Sequence, residues 1–483
     1  MSDPTTGGRR PTRWFAGAVG LTSLVAAVLL TLAYRREFSP QILLACAIAL
    51  ICWVGLCRAI VGGARIVQIL FWAFVGCWLG VAPIYQVWTG QLAWYDALSN
   101  YQTRSIVYAQ VVLALTLLAY LAGSMLAAHR RRGGVTGRPV DMGRLHRAAG
   151  AVVLLGLLML PVAAAASGGF AGLFVARSDR AEALSAQGVD VATGGGPTLG
   201  FVSLLPAVLA ITGAYLALRS LVHLHGHRPF LHWPMSSVVL TLLGVALLMI
   251  YVNPLANSRF TSVAALCCCI IAVFRPKRPL AGTIVAAVAV AGFLFVYPLT
   301  YALRNSAAGS VTFDISDWGG QDFDGFQQVI NTVLYVEQRG LEYGSTLLSG
   351  VLFAVPRSIW EGKETPASIT IAEFRGYYFT NLSLPFPAEL YLNCGLALTI
   401  VLMAGLGYVS ERIDQGWLTG NLSVMSVIAP LVATQQLGLL RGPVGSLAPV
   451  IGSVVVVVLL ALWWARRTPH VPLAPDETVT PRR

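Results

Sequence analysis

The chain has 483 residues, of which 56% are hydrophobic and 11% charged, with a formal net charge of +12 and a mean hydropathy of +0.70. A soluble domain carries about 25% charged residues, so a soluble globular protein is excluded. Apolar blocks of about 20 residues recur from end to end, the length at which a helix rising ~1.5 Å per residue crosses a ~30 Å hydrocarbon core.

The pattern predicts an all-α polytopic membrane protein, because the short alternating segments of a membrane β-barrel do not appear. About twelve transmembrane helices are expected, near 14–34, 40–57, 66–86, 105–128, 149–167, 198–218, 236–253, 260–274, 281–302, 387–409, 422–440 and 446–465. The first run follows Arg9, Arg10 and Arg13 and has no small-x-small cleavage pattern, so it reads as an uncleaved helix. Arginine-bearing loops then alternate with arginine-poor ones. Arg58 and Arg65, the 130–147 arginine run, Arg219 and Arg228, Arg275 to Arg278, Arg412, and Arg466 with Arg467 fall on one side. By the positive-inside rule that side is cytoplasmic, and both termini lie on it. Residues 1–470 make one membrane domain, and 471–483 a Pro-rich, disordered cytoplasmic tail.

The positive charge therefore reads as topological, and no nucleic-acid partner is expected. The eight cysteines lie in or beside apolar blocks, where they act as small apolar fillers. Four histidines, His223, His225, His227 and His232, share one inner loop without a convincing metal spacing.

Functional chemistry is expected in the outer loops 168–197 and 304–385. Within the second, Thr346 to Val355 is apolar for only about 10 residues, too short to span, so it reads as a re-entrant or interfacial helix. Cations on this side run against the topological bias. They are Arg177, Arg180, Arg259, Arg304, Arg357, Lys363 and Arg375. Guanidinium groups bind phosphates through charge-assisted, bidentate contacts, so their convergence would form a diphosphate pocket. The bland alternative is snorkelling to head groups or pairing with nearby acids. Among the outer carboxylates, Glu389 stands inside an apolar helix and must be desolvated or paired, and a helix-terminal role is the alternative.

The stretch 339–409 contains Arg339-Gly-Leu-Glu-Tyr-Gly-Ser345, Ala354-Val-Pro-Arg-Ser-Ile-Trp-Glu-Gly-Lys363, Leu384-Pro-Phe-Pro-Ala-Glu-Leu-Tyr-Leu-Asn-Cys-Gly395 and Gly405-Leu-Gly407. Together with Phe174-Val-Ala-Arg-Ser-Asp-Arg180, Asn257-Ser-Arg259 and Tyr297-Pro-Leu-Thr-Tyr-Ala-Leu-Arg304, it resembles the Wzy-type O-antigen and oligosaccharide-repeat-unit polymerases. The resemblance covers roughly residues 150–410, and Cys394 departs from it where the family often has an aromatic.

What the resemblance implies is a GT-C-like glycosyltransferase of the bacterial plasma (inner) membrane. It would join undecaprenyl-diphosphate-linked oligosaccharide repeats on the outer face, among membrane lipids, without a metal, cofactor or nucleotide sugar. A flippase and a chain-length regulator would be its partners. Arg177, Arg180, Arg304 and Arg357 would stabilise the leaving diphosphate, and Glu389, ahead of Asp324, would deprotonate the attacking hydroxyl. An O-antigen-type ligase, a polyprenyl-phosphate-sugar transferase and a transporter or flippase remain as alternatives.

Overall fold

The computed structural model describes residues 39–466, apart from 62, 95, 131–138, 176–195, 227–228, 255–256, 275–278, 300–312, 381 and 421–422. Helices fill the described residues, and the extended pairings among them are three isolated bridges. In chain order the helices are α1 (Pro40–Val61), α2 (Ile66–Thr89), α3 (Thr103–His129), α4 (Met142–Leu158), α5 (Leu160–Ala166), α6 (Gly196–His225), α7 (Met235–Tyr251), α8 (Arg259–Phe274) and α9 (Leu280–Leu299). They continue with α10 (Gly325–Arg339), α11 (Ser345–Val351), α12 (Ala367–Arg375), α13 (Phe386–Thr419), α14 (Val424–Arg441) and α15 (Val444–Trp464).

Among the described residues, eight helices are long and apolar enough to cross a membrane, or nine if α4 and α5, bent by 41°, form one span. The expected count of about twelve is therefore met only in part. The span near 14–34 lies outside the described residues. Those near 236–253 and 260–274 appear as helices of 17 and 16 residues, which at ~1.5 Å per residue fall short of a ~30 Å core. The apolar stretch expected at Thr346 to Val355 is helical over Ser345–Val351 and then turns. Leu348 and Val351 face outward from it, and Gly350 touches the start of α15.

Helix α2 is the axis of the bundle. Every side chain from Ile66 to Val75 is buried, and Phe71, Trp72, Phe74 and Trp78 pack into an aromatic core with Tyr120, Phe260 and Phe293. A second core gathers α4, α6, α7 and α8, with α14 and α15 contributing to it. At one end of the bundle, charged groups replace the apolar ones. Both carboxylate oxygens of Asp414 accept from the first turn of α2, from Val67 N at 3.0 Å and Gln68 N at 3.1 Å. Glu411 pairs with Arg65 at 3.1 Å and accepts from Gln68 Nε2 at 2.6 Å. Here a neighbouring helix satisfies the amides that an isolated helix N-terminus leaves open. We call this the opposite face, and the end carrying residues 313–385 the loop face.

Helices α3 and α13 approach each other closely, and small residues allow it. A Cβ on Gly123 would lie 1.8 Å from the Ala404 carbonyl oxygen, and one on Gly407 would lie 2.0 Å from that of Tyr120. Earlier in α13, Gly395 breaks the helix with φ 69 and ψ 174, a conformation in which a Cβ is strained. Gly123→Ala and Gly407→Ala should each destabilise the detergent-solubilised protein by at least the ~1–3 kcal/mol of overpacking, seen as a lower unfolding temperature. Gly405→Ala, on the same helix with open space around it, should leave that temperature unchanged. Equal behaviour of all three variants would refute the close crossing.

Candidate functional site

On the loop face three chain segments meet around one carboxylate. Asp322 sits in a short 3-10 turn, Gln321–Phe323, just before α10. It forms a two-point pair with Arg259, the first residue of α8, at 2.9 Å (Nη2–Oδ1) and 3.5 Å (Nη1–Oδ2). Arg441, the last residue of α14, approaches the same carboxylate at 3.8 Å. The Arg259 guanidinium lies 4.8 Å from the Tyr297 ring, and that of Arg441 lies 4.8 Å from Phe260 and 5.8 Å from Trp78. Cations held over aromatic faces gain from the ring quadrupole, more so when shielded from water.

Local backbone irregularity delivers these rings. Within α2 the residues Gly76–Val81 are wound as a π-helix, and Trp78 falls inside it. Within α9 a second π segment, Gly292–Val296, ends just before Tyr297. Such wide turns shift the register of a helix and recur at functional sites. Trp78 stacks on Phe323 at 4.6 Å, which seats the Asp322 turn on the bundle.

Asp322 also lines a cavity of about 500 Å³, together with Asp96, Asp317, Gln91, Gln321 and Pro298. Burial pushes the Asp322 carboxyl above the ordinary carboxylate range, outweighing the opposing pull of Arg259 and then Arg441. Two residues along, Asp324 is fully enclosed. It stands at the start of α10 without capping it; instead its Oδ2 accepts from Trp94 Nε1 at 2.9 Å and from Ser383 N at 3.2 Å. Its Oδ1 has no hydrogen-bond partner within the protein, and the same holds for the buried Gln86 Oε1, Gln328 Nε2, Ser383 Oγ, Arg375 Nε and Arg441 Nε. Buried polar atoms are normally satisfied by protein or ordered water.

The expected cations divide into three groups. Arg259 and Arg375 flank the cavity. Arg375 pairs with its wall residue Asp96 at 3.2 Å and lies 5.0 Å from the Tyr101 ring. Arg357 and Lys363 do not join them. They fasten the turn after α11, Arg357 donating to the Lys363 carbonyl at 2.6 Å and Lys363 Nζ donating to the carbonyls of Leu352, Phe353 and Val355. Arg177, Arg180 and Arg304 lie outside the described residues. Glu389 is completely buried but faces α15, where its Oε2 accepts from Val444 N at 2.7 Å. Its contact is thus with the start of a neighbouring helix, while its Oε1 has no hydrogen-bond partner within the protein. Among the described residues no group of three or more His, Cys, Asp or Glu side chains is placed to hold a metal ion.

Arg441, Asp322, Asp96 and Tyr101 were not singled out by sequence reasoning. A signal existed for Arg441, since it ends a span on the side that the sequence pattern expects to be outer, where the positive-inside rule would disfavour cations. The acids gave none, because their partners are remote in sequence. No protein-family model matches the chain, and neither a curated protein nor a solved structure does. Fold and site together define a multi-pass α-helical membrane protein with a charge-lined cavity at the loop face.

Removing Asp322 would leave two guanidinium groups facing each other with little water. Asp322→Ala should cost about 3–5 kcal/mol of stability. Adding Arg259→Ala to it should cost less than the two single losses combined, by about 0.5–3 kcal/mol. Thermal unfolding of the four proteins in detergent measures the difference, and strict additivity would rule out the pairing.

Proposed function

We propose that this chain is a membrane glycosyltransferase that joins oligosaccharide units carried on a polyprenyl diphosphate, undecaprenyl diphosphate in a bacterial plasma membrane, with its loop face outward. The observation that carries this reading is the meeting of Arg259 and Arg441 on Asp322 at the wall of the cavity. A lipid diphosphate leaving group needs fixed positive charge where its own charge develops, and a sugar hydroxyl needs a nearby base. Both are present within one contact shell.

In the resting site Asp322 neutralises the guanidinium pair. An arriving diphosphate would share those cations and leave the carboxylate free. The acceptor hydroxyl oxygen then bonds to C1 of the donor sugar, and its proton passes to Asp322. The bond from C1 to the diphosphate oxygen breaks, and the anion departs held by Arg259 and Arg441. Asp324 acts as a positioning residue through Trp94 and the Ser383 amide. Glu389, engaged by Val444 N, holds α13 and α15 together in this scheme, and Asp322 takes the role of base.

Cells expressing Asp322→Asn or Arg259→Gln in place of the wild-type chain should accumulate single repeats on the carrier. Long glycans should fall by about 10²–10³-fold, as for loss of one preorganised anion-stabilising donor, with membrane protein levels retained. Mass spectrometry of the lipid-linked pool decides. Unchanged chain lengths in both variants would sink the proposal, and long chains stalled on the carrier would indicate transfer to a different acceptor.

The pH dependence has a definite sign. A base works deprotonated, and burial keeps the Asp322 proton bound above the ordinary carboxylate range. Activity in isolated membranes should therefore fall on acidification with a midpoint above the ~3.9 of a free aspartate. The residual activity of Asp322→Asn should lack that acid limb.

A further inference from the structure

Beside the cavity, and continuous with it through Asp96, lies an aromatic shelf. The Trp94 ring is nearly parallel to those of Phe379 and Tyr377, at 26° to each, with centroids 5.2 Å and 6.2 Å away. The rings are fixed in place. Trp94 donates from its backbone N to Gln327 Oε1 at 3.2 Å and from Nε1 to Asp324 at 2.9 Å. The Tyr377 hydroxyl accepts from Gln327 Nε2 at 3.1 Å and from Asn331 Nδ2 at 3.2 Å. Phe379 is 40% exposed, and its neighbour Tyr378 is 83% exposed.

Planar polar groups border these rings. The Tyr101 hydroxyl donates to Asp96 at 2.7 Å, and Arg375 joins the same carboxylate at 3.2 Å. The Arg375 Nε and Gln328 Nε2 atoms are buried without a hydrogen-bond partner in the protein. Lipid-facing surfaces of this chain look different: Leu398, Val401, Leu459 and Leu460 are exposed aliphatics on long apolar helices. Aromatic plates bordered by amides, a carboxylate and a guanidinium suit an amphipathic ligand with one flat C–H face and a hydroxylated edge. A pyranose ring is such a ligand, with its C–H face on the aromatic surface and its hydroxyls on the polar side chains.

We infer that Trp94, Tyr377 and Phe379, bordered by Arg375, Asp96, Gln327 and Asn331, form a sugar-binding subsite for the acceptor oligosaccharide. It deepens the glycosyltransferase reading and rests on it for the word acceptor. A chain seated there would run past Asp96 into the cavity and bring its terminal hydroxyl toward Asp322, while the donor diphosphate occupies Arg259 and Arg441.

The probe is the pool of oligosaccharides released by mild acid from the lipid-linked fraction of cells lacking this chain. Saturation-transfer NMR and tryptophan fluorescence with the purified full chain in detergent should show binding to the wild type. Phe379→Ala should weaken that binding about tenfold, as expected for loss of one stacking surface, and Phe379→Trp should retain it. Phe379 stacks on Trp94 and takes no part in the ion pairs of Asp322 with Arg259 and Arg441, so the substitution leaves those pairs in place. In cells, Phe379→Ala should shorten the glycans, with Phe379→Trp restoring them. Absence of binding to the wild type, or equal binding and equal chain lengths in Phe379→Ala, overturns the subsite even if Arg259→Gln abolishes polymer. Conversely, binding lost in Phe379→Ala while Arg259→Gln and Asp322→Asn still make full-length polymer supports the subsite and removes the catalytic reading.

Discussion

A guanidinium group taken out of water costs several kcal/mol unless anions, carbonyls or ring faces meet it, and this requirement organises both ends of the bundle. On the opposite face Arg65 meets Glu411, and Arg58 donates to the Ser124 hydroxyl and carbonyl. Near that face Arg219, almost fully buried, lies 5.0 Å from the Trp417 ring and donates to Ser426. On the loop face Arg259 and Arg441 share Asp322, and Arg375 has Asp96. Each pairing joins segments far apart in the chain: 63 residues from Arg259 to Asp322, and 279 from Arg375 to Asp96. Apolar helices alone would slide against one another in lipid, where tails are as apolar as leucine. Remote charge pairs at the two ends set which helices are neighbours and at what height.

How much was legible follows from the range over which each signal acts. Span existence is a local property of 20 residues, so helices from Pro40 onward appear near the apolar stretches, although two are too short to span and one is bent. Their ends were read less well, because tertiary partners set them. Helix α13 was expected to stop near residue 409 but runs to Thr419. It carries Glu411 and Asp414 beyond the apolar stretch because Arg65, Gln68 and the start of α2 receive them. The break at Gly395 also escaped notice, since a lone glycine in an apolar run is common.

The candidate site was half legible for the same reason. A cation on the side expected to be outer is a sequence-level anomaly, and Arg259 and Arg375 drew attention through it. Arg357 and Lys363 show the same anomaly with a structural cause. Their donors close the carbonyls of a turn that leaves a seven-residue helix. Glu389 was noticed because a carboxylate inside an apolar helix demands a partner, and the partner is an amide of α15. Sequence reveals that such a group must be satisfied, whereas only the fold reveals by what.

The site is close to electrically balanced, and that bears on how it could handle an anionic carrier. Three guanidinium groups, from Arg259, Arg375 and Arg441, face the carboxyls of Asp96, Asp322 and Asp324, and Asp317 adds a further acid to the cavity wall. A purely cationic pocket would attract any phosphate strongly and release a diphosphate product slowly, because charge pairs in low dielectric hold tightly. Under the proposed glycosyltransferase reading, with Asp322 between the two arginines, an incoming diphosphate would exchange one anionic partner for another. Binding would thereby be weakened in the ground state, while charge growing as the glycosidic bond to the carrier breaks would still find both cations aligned. Interactions that strengthen between bound substrate and transition state are the ones that raise turnover. On that proposal the acid that shields the arginines at rest would also take the proton, so relief of the resting ion pair and activation of the acceptor hydroxyl would become a single event.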